Sequence, residues 1–370
     1  MMRQVMQVME TSMDHPLCQQ DTHQSWACMA LEKLEREKQR AVDTHLILLE
    51  LPGFEDTPIY FKDESTHPTG SLKHRLAQSL FANAICHGYI GPETTVIEAS
   101  SGSTAVSEAY FAQLLGLPFI AVMQKDTSQT KIDAIKHYGG QIHLVERSDQ
   151  VYAASERLAE ETNGHYMDQF TNAALATDWR SDKCIAGSIL RQMEREPDPV
   201  PAWIVMAAGT GGNSATIGRH LRYHKLATKL CVPDVENSVF MDAWSTRDAS
   251  LTSDVGSRIE GIGRPRVEPA FKPDVVDAML KVPDAASVAA MLKLSQLLGR
   301  PVGPSSGTNF YAALIIARKM QEEGEKGAIV SVICDGGYRY LDTYHNLDWR
   351  LQKDLESTQF AAEIEDLLAR

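Results

Sequence analysis

The sequence predicts an α/β protein with parallel-rich sheets flanked by helices, divided into two domains. Three observations carry this expectation. From residue 44 onward, short apolar runs of strand length alternate with amphipathic stretches of helix length, and that rhythm is produced by parallel strands joined through crossover helices. The 370 residues, 43% of them hydrophobic, supply a large core and suit one large unit or two domains. Several strand-to-helix junctions are rich in glycine, serine and threonine, the residues that expose backbone N–H groups and cap helix starts.

In chain order, residues 1–24 read as a polar tail broken by Pro16, and 26–42 as a helix capped by Ser25 with Trp26, Met29, Ala30 and Leu34 at helical spacing. Strands are expected at 46–49, 59–61, 95–98, 119–123, 141–145, 203–208, 229–232 and 328–334. Helices are expected at 72–85, 104–115, 131–138, 151–161, 185–194, 214–225, 286–298 and 310–323. The proline-rich stretch 197–201 is a connector. There is no internal repeat and no low-complexity segment.

Composition narrows the function. A formal charge of −13 disfavours a broad attraction to nucleic acid or anionic membranes, so a small molecule is the expected partner. Six scattered cysteines form no CxxC pair, which indicates neither a disulfide framework nor a thiolate zinc site and suits a reducing cytosol. The N-terminal stretch has no apolar export signal, and no run approaches the ~18 apolar residues of a membrane span. A cytoplasmic location is therefore expected. His220 and His224 lie four apart on a predicted helix without a third ligand, so they are expected to be surface histidines and no metal site is predicted. His67 before Pro68 suits a turn or cap, with proton transfer as the alternative; Cys184, Cys231 and Cys334 are expected to pack in the interior.

Four junctions carry the chemistry. In Pro68-Thr69-Gly70-Ser71-Leu72-Lys73, a turn delivers a lysine to the first turn of a helix, where the macrodipole ordinarily disfavours a cation by about 0.3–1 kcal/mol. Taken alone, a solvated surface lysine is the commoner outcome. In Glu98-Ala99-Ser100-Ser101-Gly102-Ser103-Thr104, hydroxyls and N–H groups gather at a helix start, which suits a carboxylate or ordinary capping. The apolar strand before Gly209-Thr210-Gly211-Gly212-Asn213 enters a glycine loop that can turn successive N–H groups toward one phosphate. Ser214 stands where a dinucleotide fingerprint needs glycine, and no triphosphate loop occurs, so a phosphate monoester is the simplest ligand. Gly303-Pro304-Ser305-Ser306-Gly307-Thr308 opens a further helix.

Together these segments resemble the fold-type II pyridoxal-phosphate family of cysteine synthase, cystathionine β-synthase, threonine synthase and the serine and threonine dehydratases, over about residues 43–344. The resemblance implies a tryptophan synthase β-like fold with pyridoxal 5′-phosphate as cofactor. It makes Lys73 the Schiff-base and catalytic residue, Gly209, Thr210, Gly211, Gly212 and Asn213 the phosphate loop, and Ser305 the hydroxyl facing the pyridine nitrogen. It also implies that Ser100, Ser101, Gly102, Thr104, Gln169 and Gly261 meet the substrate, and that Ser103 touches the cofactor. Ser103, His74 and Asn213 depart from the asparagine, aspartate and threonine usual there. The strings 62–75, 98–108 and 257–265 most resemble a bacterial and fungal cysteine desulfhydrase subgroup.

The expected layout is a tail at 1–24, a large cofactor domain of 25–66 and 173–346, a small domain of 67–172 carrying Lys73, and a helical C-terminal tail at 347–370. The cofactor is expected in the cleft between the domains, in a homodimer. The expected reaction is β-elimination on L-cysteine, a small amino-acid substrate, giving sulfide, pyruvate and ammonia. The alternatives are β-replacement from O-acetylserine plus sulfide, serine or threonine dehydration, and a non-catalytic sensor or scaffold.

Overall fold

The computed structural model describes residues 22–41 and 43–369; most of the expected N-terminal tail, including Cys18, lies outside the described residues. In chain order the strands are β1 (His45–Leu49), β2 (Ile59–Asp63), β3 (Val96–Ala99), β4 (Phe119–Gln124), β5 (Gln141–Val145), β6 (His165–Tyr166), β7 (Trp203–Val205), β8 (Lys229–Val235), β9 (Ala278–Val282) and β10 (Ile329–Ile333). They form a six-stranded sheet of order β1-β2-β10-β7-β8-β9 and a four-stranded sheet of order β5-β4-β3-β6. Every pairing is parallel except β1 with β2.

Two compact units result. The smaller holds the helix Thr22–Arg40 and Ala77–Met167; the larger holds Asp43–Leu76 and everything from Asp168 onward. These limits differ from the expected 67–172 domain at both ends, so Lys73 and Gln169 belong to the larger unit. Backbone bonds explain the shift: Ser71 bridges Asp335, Leu72 N–H donates to the Cys334 carbonyl at 2.8 Å, and Ala270 N–H donates to the Phe170 carbonyl at 3.0 Å. The helix Thr22–Arg40 joins the smaller unit because Gln78 donates to the Leu34 carbonyl at 2.8 Å and the Tyr110 hydroxyl bonds Glu37.

The larger sheet is buried on both faces, as parallel strands require. Ile59 and Phe61 of β2 and Ile329 and Ile333 of β10 pack into one core with Phe310, Leu314 and Met291; Tyr60, Val330 and Val332 enter the opposite core with Ile189, Ile217 and Phe240. This is the two-residue alternation of a strand sorted between two helical layers. In the smaller unit, Ile97 of β3 and Val122 of β4 pack with Ala154 of the helix Val151–Glu161.

Several boundaries moved. The first helix starts at Thr22 rather than after Ser25, β7 stops at Val205, and the helix after the glycine loop starts at Gly212. Strands β6 and β9 and the helices Gln169–Ala176 and Phe240–Thr246 are additional to the elements expected from the sequence. β6 is only two residues long and is set by its pairing to β3. His220 is buried rather than on the surface, with its Nδ1 2.8 Å from the Trp179 carbonyl. Among the described residues no helix is long and apolar enough to cross a membrane, and no group of three metal-ligating side chains forms.

Candidate active site

Lys73 is the first residue of the helix Lys73–Cys86. Its position is fixed by the turn before it. Gly70 takes φ +71°, its carbonyl accepts from Gly336 N–H at 3.1 Å, and the Ser71 hydroxyl accepts from Lys73 N–H at 3.3 Å. The lysine backbone is thereby pinned to the end of β10.

An ionic network that sequence reasoning missed clamps the same helix. Arg75, two residues after the lysine, donates to both Glu64 oxygens at 2.7 and 3.0 Å and to Asp43 at 2.9 Å. Lys62, fully buried on β2, donates to Asp43, the Thr44 carbonyl and Gln192 at 3.1, 2.7 and 2.6 Å. Burial alone would raise the Glu64 carboxyl, yet Arg75 and His67 hold it well below the usual carboxylate range. For Asp43, burial is likewise outweighed, by the Ser188 hydroxyl and the Lys62 and Arg75 charges. Both groups titrate lower when folded than unfolded, so the stability they add is present above their unfolded values of 4.5 and 3.8 and is lost as pH falls. Glu64→Ala removes the fully buried one of the two carboxylates that pair with Arg75 and is expected to lower the unfolding free energy by about 3 kcal/mol, measured by urea denaturation at pH 7. The only sequence signal was the unbroken polar string from Lys62 to Glu64 at the end of an apolar strand.

The glycine loop follows β7 and packs without room for side chains. A Cβ on Gly209 would sit 2.2 Å from the Gly261 carbonyl oxygen, one on Gly211 would sit 2.4 Å from Phe271 Cα, and one on Gly212 would sit 2.6 Å from Ala173 Cβ. Gly211 takes φ +87° as the N-cap of the helix Gly212–Tyr223, and the Thr210 hydroxyl accepts from Gly212 N–H at 3.1 Å. First-turn N–H groups have no carbonyl four residues back, so this end suits an anion. Lys73 Nζ lies 3.8 Å from the position of a Cβ on Gly209. The lysine amine and the glycine loop are therefore close neighbours.

Other expected residues of the larger unit gather there. Gly261, at φ +89°, presents its carbonyl to Gly209, and Gly263 N–H donates to the Ala208 carbonyl at 2.8 Å. Gln169 opens the helix Gln169–Ala176, whose Ala173 supports Gly212. Ser305, buried in the first turn of Pro304–Glu322, is hydrogen-bonded through its side chain to Cys334. Asn309, one turn on, ties the segment after β7 to β10 by accepting from Ala207 N–H at 2.8 Å and donating to the Val332 carbonyl at 2.9 Å. Burial pushes the Cys334 thiol up to about 12, so it is held as a neutral thiol.

Asp335 follows Cys334 at the end of β10 and is buried. Burial raises its carboxyl to about 6 against the opposing pull of Arg339 and the Tyr340 hydroxyl, which donates to it at 2.6 Å; Lys73 also acts on it.

In the smaller unit, Ser100, Ser101, Gly102 and Ser103 are half-buried and Thr104 is buried. Gly102, in extended conformation, is the N-cap of the helix Ser103–Leu115, and its N–H donates to the Ser100 hydroxyl at 3.2 Å. The loop thus ends in an accessible helix N-terminus bordered by hydroxyls, a setting that suits a carboxylate.

Residues fit pyridoxal phosphate on structural grounds: a glycine cradle that side chains would fill, a helix N-terminus for the phosphate, and an amine at the same loop for the aldehyde. The comparisons agree. Residues 42–335 match the model of the pyridoxal-phosphate dependent enzyme family. An L-cysteine desulfhydrase of Mycobacterium tuberculosis is 54% identical over 92% of this chain and 94% of its own length. Cysteine synthase 1 of Neurospora crassa is 28% identical over 80% of this chain and 78% of its own length. Among solved structures, a hydrogen sulfide-producing enzyme superposes with a TM-score of 0.74 at 26% identity, covering 88% of this chain and 96% of that one. An O-ureido-L-serine synthase gives 0.72 at 25% identity, covering 85% and 93%.

Proposed function

This chain belongs to the pyridoxal-phosphate dependent enzyme family, and on that premise we propose that it is a cysteine desulfhydrase, cleaving L-cysteine and water to sulfide, pyruvate and ammonia. Its fold is that of the fold-type II enzymes, with parallel-rich sheets between helices. The observation that carries the reading is the approach of the Lys73 amine to the 209–213 glycine loop, joined to the extensive likeness to a desulfhydrase.

Bound pyridoxal phosphate supplies an aldehyde for amines and a ring that accepts the electrons of a bond broken at Cα. The residues of the chain do the rest. Lys73 would hold the aldehyde, and its amine, once freed, would serve as the base for the Cα proton. The 209–213 loop grips the phosphate through backbone N–H groups. The hydroxyls and N–H groups of the 100–104 loop would hold the substrate carboxylate, a role that the Gln169 amide would share. The Ser305 hydroxyl, a neutral group buried in the first turn of its helix, would face the ring nitrogen of the bound cofactor. A thiol leaves with little acid assistance, and water completes the release of ammonia.

The test is product analysis with cofactor-loaded protein and cysteine alone. Sulfide, pyruvate and ammonia are expected in equal amounts. Sulfide that forms only with a second thiol or amine present, or faster turnover of O-acetylserine with sulfide, would assign β-replacement instead. We further propose a homodimer in the cytosol, where the five described cysteines, all free thiols, remain reduced; sedimentation at micromolar concentration tests the assembly.

A further inference from the structure

Two carboxylates in the smaller unit serve none of these roles. Glu98 on β3 and Glu108 on the helix Ser103–Leu115 are both without exposed surface. They stand on the two elements that flank the 100–104 loop. Glu98 accepts from Ala99 N–H at 2.7 Å, at the residue that delivers the chain to Ser100. Glu108 follows Thr104 by four residues and so shares its helix face. Neither Glu108 oxygen finds a donor among the described residues, and the one charged group acting on it is Glu98.

β4, which packs on this helix, carries no titratable group; Glu37 of the helix Thr22–Arg40 is engaged by the Tyr110 hydroxyl; and Asp133 and Lys136 of the helix Gln129–His137 are exposed. A buried carboxylate without donors is costly, and two adjacent ones cannot both ionise. A proton on Glu108 turns an orphaned acceptor into a donor whose neighbour is the Glu98 carboxylate. Burial and the Glu98 charge push the Glu108 carboxyl well above its usual range.

We propose that Glu98 and Glu108 share one proton, and that this acid–carboxylate pair is a positioning element that sets the 100–104 loop to receive an amino-acid carboxylate. The role rests on the reading of that loop as the carboxylate site. When the proton is lost, the second buried charge drives the helix start from the strand end and loosens the loop.

The experiment uses the cofactor-loaded protein and L-alanine, which carries the carboxylate but has no β-leaving group. Infrared spectra at pH 7 should show a neutral carboxyl band in the wild type that disappears in Glu108→Gln. Between pH 7 and 10, the wild type should lose on the order of tenfold more affinity for L-alanine than Glu108→Gln, a factor equivalent to about 1.4 kcal/mol. Amide exchange at 100–104, without ligand and corrected for its intrinsic pH dependence, should accelerate over the same range in the wild type alone. Absence of the neutral band, or identical affinity and exchange profiles in wild type and variant, overturns the proposal. Glu98→Gln is the second variant should the first fail to fold, and the wild-type band and exchange profile need no variant. Sulfide formation is not among the readouts, so a failed desulfhydrase assay with this pH dependence intact would reject the reaction and leave the pair standing.

Discussion

Lys73→Ala is expected to reduce sulfide release from cysteine by about 10³-fold or more, the scale of losing a positioned base together with the covalent anchor. Borohydride reduction of the wild type should fix the cofactor to the peptide containing residue 73, and the variant should carry no label there. The expectation follows from where the backbone holds this amine. Ser71 and Leu72 are bonded to the end of β10, and Nζ reaches the glycine loop. Label on another lysine, or full activity in the variant, would refute the assignment. The Glu64→Ala variant provides the contrast: it should lose stability while still taking the label at residue 73.

The second large effect is expected from Gly211→Ala. The substitution forces an L-residue to φ +87° and drives a Cβ to 2.4 Å from the Phe271 backbone. The left-handed conformation costs roughly 1–2 kcal/mol, and overpacking adds about 1–3 kcal/mol. The cheapest relief is displacement of the loop, so cofactor affinity should fall on the order of 100-fold, equivalent to about 2.7 kcal/mol. A spectroscopic titration of apoprotein with pyridoxal phosphate measures it. Gly53→Ala is the control: Gly53 takes a comparable φ of +82° with nothing within 4 Å of its Cβ, so it bears the conformational cost alone and should leave cofactor affinity unaltered. Equal affinity losses in both variants would show that the close packing on Phe271 is irrelevant.

Much of this was legible in the chain because it is local. Alternating Ile59, Tyr60 and Phe61 mark a strand buried on both faces, and the run from Val205 into Gly209 and Gly211 marks a strand that ends in a glycine loop. What stayed hidden depended on partners far along the chain. β6 is a strand only because β3 lies beside it, and His220 is interior because Trp179 covers it. The domain border could not be found from composition either: the bonds from Leu72 to Cys334 and from Ala270 to Phe170 assign Lys73 and Gln169 to the larger unit.

By itself the sequence determined the strand and helix periodicity, the glycine positions and the chemical groups at each helix start, since these depend on neighbours within a turn or two. The tertiary structure alone decided which groups meet: Asp43 with Lys62 and Arg75, Asp335 with Tyr340 and Lys73, Glu98 with Glu108. The physical reason is that charge energetics depend on distance and burial. Both are set by the packing of remote segments, and an isolated carboxylate in a sequence carries no mark of either.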